Sequence, residues 1–96
     1  MEGTAQAGAI APIQFRVYAA GTPVVGELQR YLGAFGHLVV VRDGDLAIVH
    51  AHAEDQLVNG AIKFWLTTPS PGRYRLFLDF QSAGTVHTVA FTHLVP

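Results

Sequence analysis

The residues of this 96-residue sequence with the clearest potential for chemistry are its five histidines, three of which lie close together in the chain. His37, His50 and His52 flank two apolar stretches that are separated by an Asp-Gly pair. Neutral imidazole is a common ligand for zinc and copper, and a His-x-His pair on one strand face presents two nitrogens at once. The sequence contains no cysteine and one methionine at its start, so the soft ligands preferred by Cu(I) are missing, which favours Cu(II) or Zn(II).

A β-hairpin is the simplest way to gather these three histidines. Asp43-Gly44 is a strong hairpin signal, because both central residues of a type I′ turn need positive φ. With these two as the turn, His37 lies opposite His50 on one face, with Cβ atoms about 4.5–5.5 Å apart. His52 returns to that face one pleat further along the strand. The sequence therefore predicts a cluster of three imidazoles at the open end of the hairpin.

The last hairpin of the sequence supplies a fourth candidate ligand. With Ala83-Gly84 as its turn, the two apolar faces coincide and Phe80 lies opposite His87. If the two sheets stack so that this end covers the open end of the first hairpin, His87 joins the cluster. The sequence does not determine that stacking, so the four-histidine site is a hypothesis. His93 lies about 20 Å from His87 along the same strand and is assigned a structural role.

The remaining pattern predicts the elements that position these side chains. Alternating apolar and polar residues indicate six short strands separated by turns with Gly or Pro, which is typical of an antiparallel sandwich or barrel. Leu28, Tyr31 and Leu32 have helical spacing, so residues 26–33 are predicted to form one short helical turn. Residues 1–12, rich in Ala and Gly, are predicted to be a flexible leader, and residues 13–96 a single domain.

The composition argues against two classes of partner. The formal charge is −1, and the six Lys and Arg residues do not cluster, so we expect no nucleic-acid binding and no attraction to anionic lipid. The longest apolar runs fall far below the roughly 18 residues that a membrane-spanning helix needs, so this segment is not expected to insert into a membrane.

Both faces of the first hairpin are apolar, which predicts a partner subunit. The histidine face also carries Val39, Val41, Leu46 and Ile48, and the other face, assigned to the outer surface, carries Leu38, Val40, Ala47 and Val49. A strand that is apolar on both sides must be covered on both sides. In so short a chain, a second subunit could cover the apolar face that the chain itself leaves exposed, so the sequence predicts a homo-oligomer.

Two longer segments, "GTPVVGELQRYLGAFGHLVVVRDGDLAIVHAHAE" and "PSPGRYRLFLDFQSAGTVHTVAFT", resemble bacterial extracytoplasmic Ig-like β-sandwich domains. These domains occur alone or beside heavy-metal-handling modules and are similar in outline to YtkA-like and copper-resistance sandwich domains. The most specific pieces are "YLGAFGHLV", "GDLA", the His-x-His and "PGRYRLF". The resemblance implies an all-β, antiparallel Ig-like β-sandwich, an extracytoplasmic location and a role in metal handling. It assigns the metal-ligand role to His37, His50, His52 and His87. Ala53 departs from the pattern, in which a proline follows the histidine pair.

Three functions are compatible with these residues. The first is a non-enzymatic module that binds one Cu(II) or Zn(II) ion per chain through His37, His50 and His52, with His87 as a fourth ligand. The second is a structural or oligomerising interaction domain whose histidines only pack. The third is a small cupin-like metal-dependent enzyme. Its first motif is matched by Gly44, His50 and His52, but Glu54 follows too soon to be the motif's acid, and the second motif is missing.

Overall fold

The computed structural model describes residues 1–96 and consists of ten β-strands without a helix, which confirms the predicted all-β class. The strands are β1 (Ile10–Phe15), β2 (Tyr18–Ala19), β3 (Thr22–Pro23), β4 (Leu28–Gln29), β5 (His37–Arg42), β6 (Ile48–Val49), β7 (Ala51–Ala53), β8 (Ile62–Thr67), β9 (Gly72–Ser82) and β10 (Thr85–Val95). No helix of a length and hydropathy suited to crossing a membrane is present.

The strands form two main antiparallel sheets that pack as a β-sandwich. One sheet has three strands in the order β1-β8-β7. The other has the order β10-β9-β5-β6, and β4 pairs with the end of β9 as its fifth strand. A small separate sheet joins β2 and β3. The long strand β9 is central, because it pairs with β10 on one side and with β5 and β4 on the other.

The core lies between the sheets and follows the alternation in the sequence. In β8 every second side chain is buried, and Phe64 packs edge-on against Phe15 of β1 with ring centroids 5.9 Å apart. The inner face of β9 is buried from Tyr74 to Ser82 and contributes Tyr74, Leu76, Leu78 and Phe80 to the core. Two-residue periodicity therefore predicts correctly which face of β8 and of β9 forms the core.

Gly36 allows close packing immediately before β5. A Cβ atom at this position would lie 2.9 Å from Ile62 Cγ2 and 3.2 Å from Leu78 Cδ1, and these two residues belong to different sheets. The first of these distances is shorter than real Cβ contacts, so a larger residue here would force the neighbouring side chains to shift. The glycine thus sets how closely the start of β5 packs into the core.

The short helical turn predicted for residues 26–33 is wrong. Leu28 and Gln29 form β4 and pair with Ser82 and Gln81 of β9. A single helical turn is costly to nucleate, and it has too few hydrogen bonds to compete with a strand that pairs and buries Leu28.

The predicted outer face of the first hairpin is also reversed. Val40 and Val49, which had been assigned to the surface, are buried, whereas Val39 and Ile48 are exposed. Both faces of the hairpin are apolar, so residue type alone could not distinguish the inner face from the outer one.

The N-terminal segment, whose composition predicted a flexible leader over residues 1–12, makes several contacts with the rest of the domain. Glu2 and Gln14 exchange two backbone hydrogen bonds, with N···O distances of 2.7 and 2.8 Å. Ala5 is fully buried and belongs to the core cluster. Small residues need little space, and here they allow the segment to lie against the edge of β1 and the inner side of β10.

Thr68 provides a test of the packing just after β8. Its side chain is fully buried, and its hydroxyl oxygen has no hydrogen-bond partner. Because an unpaired buried hydroxyl is costly, we expect Thr68→Val to raise the free energy of unfolding by about 1 kcal/mol. Urea denaturation measures the change, and exposed Thr67→Val serves as the control with an effect within about 0.5 kcal/mol. A loss of stability in Thr68→Val would contradict this expectation.

Candidate metal-binding site

The first hairpin has a wider turn than the sequence suggested. Val41 lies opposite Ile48 and Val40 opposite Val49, so the predicted register, with His37 opposite His50, is wrong by two residues. The Arg42 N–H donates to the Ala47 carbonyl at 2.9 Å, which leaves a four-residue loop between them. Of the two predicted turn residues, Gly44 has a positive φ of 107° and Asp43 does not, whereas Leu46 at the end of the loop has a φ of 59°.

Two sets of hydrogen bonds explain the wider loop. The Asp43 N–H donates to the Arg73 carbonyl of β9 at 2.9 Å, so Asp43 extends the sheet instead of turning. The Asp45 carboxylate accepts from the Arg42 guanidinium and, at 3.1 Å, from the Ala47 N–H. These bonds, with the Arg42 hydrogen bond as the largest contribution, lower the pKa of Asp45 to about 2. The loop is therefore held by an ionised carboxylate over the whole physiological pH range.

The chain then changes sheets at His50. Strand β6 ends at Val49, and β7 pairs instead with β8 of the three-stranded sheet, where His52 lies opposite Trp65. His37 stays in the five-stranded sheet and pairs with Asp79 of β9. This crossover separates the predicted ligands, and no three His, Asp or Glu side chains stand close enough together to hold one metal ion.

The structure nevertheless brings one pair of the predicted ligands together. The rings of His50 and His52 have centroids 6.1 Å apart and planes inclined by 37°. Both side chains are exposed, and both lie on the segment that forms the edge of the three-stranded sheet. The pair comes from alternation within one extended segment, which does not depend on the hairpin register.

His37 makes a local contact with Tyr31. Its Nε2 lies 2.6 Å from the Tyr31 carbonyl oxygen, and its ring meets the Tyr31 ring edge-on with centroids 5.8 Å apart. Because a carbonyl only accepts, Nε2 carries the proton and donates. The residue is half-buried and holds the loop before β5 in place.

The two histidines of β10 also make contacts of their own. His87 lies opposite Phe80, as the hairpin through Ala83-Gly84 predicted, and stacks on that ring with centroids 5.2 Å apart. His93 is buried, and its Nε2 accepts the Ala5 N–H at 3.0 Å. Burial lowers the pKa of His93, which keeps the ring neutral and able to accept. The structural role predicted for His93 agrees with this contact.

Trp65 is a neighbour of the histidine pair that the residues predicted for the site did not include. It lies opposite His52, its indole N–H donates to Glu54 Oε1 at 2.7 Å, and the Lys63 ammonium lies 4.6 Å from its ring centroid. Glu54, the acid closest in sequence to the pair, is therefore already occupied. The signal that could have revealed Trp65 is its position on the outer side of an alternating strand.

A separate cavity of about 310 Å³ lies between the sheets, beside the inner face of β10. Eight of the nine lining residues are hydrophobic, among them Phe15, Phe80, Val89 and Phe91. The one charged residue, Arg16, bonds Glu2 at 2.8 Å and the Asn59 carbonyl at 2.7 Å. The cavity thus offers apolar surface without a free acid or base.

The fold and the site together define a small all-β domain with a pair of exposed histidines on a sheet edge. The chain belongs to the family DUF8832, a domain of unknown function, which it matches over residues 1–96. No curated protein matches the sequence, and no solved structure matches it either.

Proposed function

We propose that this domain binds one Cu(II) or Zn(II) ion through His50 and His52 and acts as a non-enzymatic metal-handling module. One observation carries the proposal: these two rings lie side by side, exposed and without a hydrogen bond. The other three histidines each contact a particular residue, namely Tyr31, Phe80 or Ala5.

The separation of the two rings suits a shared ion. A metal–nitrogen distance of about 2.0–2.1 Å places the centroids of two coordinated imidazoles roughly 4.5–6.4 Å apart, depending on the angle at the metal. The observed 6.1 Å lies within that range, towards its wide-angle end, so the spacing of the rings is compatible with a shared ion. The proposed ligand set is therefore smaller than the one expected from the sequence, without His37 and His87.

Two protein ligands leave coordination positions for water or for a partner molecule. Such a site exchanges its metal readily, which suits transfer or capture better than permanent storage. Cu(II) should bind more tightly than Zn(II), in line with the general order of affinities for nitrogen ligands. The resemblance to extracytoplasmic metal-handling sandwich domains supports the same role, and on that basis we propose an extracytoplasmic location.

The test is a Cu(II) titration of untagged protein, followed by calorimetry and by fluorescence. Trp65 is the one tryptophan of the sequence and lies opposite His52, so Cu(II) at the pair should quench its emission. We expect one ion per chain, and we expect His50→Ala combined with His52→Ala to weaken binding by about 100-fold.

The matched control removes the same number of histidines elsewhere, as His37→Ala combined with His87→Ala. This variant should keep the affinity of the unmodified chain within about threefold. Equal loss in both double variants, or no detectable binding by the unmodified chain at neutral pH, would contradict the proposal.

A further inference from the structure

Strand β10 is an unprotected sheet edge. It pairs with β9 on one side, and no strand lies on its other side. Its eleven residues, Thr85–Val95, include no Lys, Arg, Asp, Glu or Pro. Natural proteins usually protect long edges with such residues, because an unpaired row of backbone N–H and C=O groups invites another strand.

The turn before β10 determines which backbone groups are free. Ala83 and Gly84 both have positive φ, 48° and 81°, as a two-residue type I′ turn requires. The flanking residues Ser82 and Thr85 then form a hydrogen-bonded pair, and such pairs recur at every second residue. The residues whose N–H and C=O point away from β9 are therefore Val86, Thr88, Ala90, Thr92 and Leu94.

We propose that a second copy of this chain pairs with β10, antiparallel and with its two-fold axis at Ala90. This register uses all five outward-pointing residues and forms about ten backbone hydrogen bonds. It is also self-complementary in its side chains. On the outer face Val86 meets the partner's Leu94 and Thr88 meets the partner's Thr92, while on the inner face Val89 meets the partner's Phe91.

The exposure of these side chains supports the pairing. Val86 is 44% exposed, Val89 37% and Leu94 68%, and each would gain an apolar neighbour in the dimer. Because the strand carries no charge, two copies meet without repulsion. Apolar and Thr–Thr cross-strand pairs of this kind are each worth a few tenths of a kcal/mol or more.

The other sheet edges are less suitable. Strand β6 has two residues and β7 has three, which is too short for a stable pairing. The outer edge of β1 is covered by the Glu2–Gln14 hydrogen bonds, and Pro12 lies within the strand. Only β10 combines length with an open row of backbone groups.

The apolar cavity is a second feature that favours pairing at the β10 edge. Val89 and Phe91 line the cavity from β10, so the cavity lies directly beside the strand that would be joined. In the proposed dimer the partner's Phe91 and Val89 lie beside these two residues and add apolar surface next to the cavity. Eleven residues give a contact roughly 35 Å long and one strand wide. The area that such a contact buries is at the small end of specific interfaces. We therefore expect a reversible dimer with a dissociation constant on the order of micromolar.

Single cysteines test the register cleanly, because the natural sequence contains none. In Ala90→Cys the two sulfur-bearing residues face each other across the axis with Cα atoms about 5.5 Å apart, within reach of a disulfide. In Thr88→Cys, on the same outer face, the two copies are about 14 Å apart and out of reach. Mild oxidation should therefore yield a covalent dimer from Ala90→Cys and little from Thr88→Cys.

Sedimentation equilibrium of the unmodified chain provides the independent measurement. We expect dimers at about 100 µM and monomers for Ala90→Lys, whose two ammonium groups would face each other at the axis. Ala90 is exposed, and circular dichroism should show that the lysine variant keeps its fold. A monomeric unmodified chain, equal cross-linking of both cysteine variants, or an edge that takes up only an extended peptide of another protein would overturn the proposal.

Discussion

Replacing Phe64 with alanine is expected to lower the free energy of unfolding by about 3–5 kcal/mol. The side chain is 1% exposed and packs from the central strand of the three-stranded sheet against Phe15. Truncation removes a large apolar group and leaves a cavity between two sheets that cannot close around it. A small domain is stable by only about 5–15 kcal/mol, so this one change should remove a large fraction of the free energy of unfolding. The urea concentration at the midpoint of unfolding should fall by a similar fraction.

Trp65 provides the matched control on the same strand. It is the next residue along β8, is also aromatic, and points to the opposite side, where it is half-buried. Its contacts are the hydrogen bond to Glu54 and the Lys63 ammonium. Trp65→Ala should therefore cost about 1–2 kcal/mol, well below the loss at Phe64. Equal losses at the two positions would mean that β8 does not have one buried face.

The contrast between these two residues shows what periodicity predicts well. Alternation is a local property, so the inner faces of β8 and β9 follow directly from the sequence. The Ala83-Gly84 hairpin is equally local, and its strands have the predicted partners, while both turn residues have the positive φ of a type I′ turn. The all-β class and the pairing of Phe80 with His87 needed no information from distant parts of the chain.

The first hairpin was less predictable, because non-local bonds decide its turn. Asp43-Gly44 is a good two-residue turn in isolation, but the Arg73 carbonyl of β9 holds Asp43 in the sheet. A register shift of two residues leaves the same side chains on the same face, since the period is two. The predicted sharing of one face is therefore confirmed for Val41 and Ile48, while the pairing of His37 with His50 is wrong.

The change of sheets at His50 could not be predicted from spacing. An edge strand that crosses from one sheet to the other satisfies the same apolar pattern as one that continues. In this chain the crossover carries His52 to Trp65 and leaves His37 opposite Asp79. The His-x-His pair survives because two alternate residues of one extended segment share a side, whichever sheet the segment joins.

The docking of the N-terminal segment could not be predicted from the sequence either, because a segment rich in Ala and Gly shows little alternation of apolar and polar side chains. Its contact with β10 depends on Ala5 and His93, which are separated by almost the whole chain. No local feature of either residue indicates the other. Substitution of His93, the acceptor of this hydrogen bond, tests the contact.

Replacing His93 with alanine is expected to lower the free energy of unfolding by about 2–4 kcal/mol. The change removes a buried ring and leaves the Ala5 N–H without its acceptor in the core. Amide hydrogen exchange at Ala5 should accelerate more than exchange at central positions of β9, because the loss is local to the docked segment. Uniform acceleration over the whole chain would show that the segment does not open separately.

Acid should act on the same contact. Burial lowers the folded-state pKa of His93 below its ordinary value of 6.5, and a protonated Nε2 cannot accept the Ala5 N–H. The unfolded chain therefore takes up this proton more readily, so the contribution of His93 is complete above pH 6.5 and is lost as the pH falls through the folded-state value. His93→Gln keeps an acceptor that does not titrate. Thermal melts from pH 7.5 to pH 5 should accordingly show a smaller acid loss in His93→Gln than in the unmodified chain. Parallel curves would assign the acid sensitivity to other groups, because the two proteins differ in this one titrating side chain.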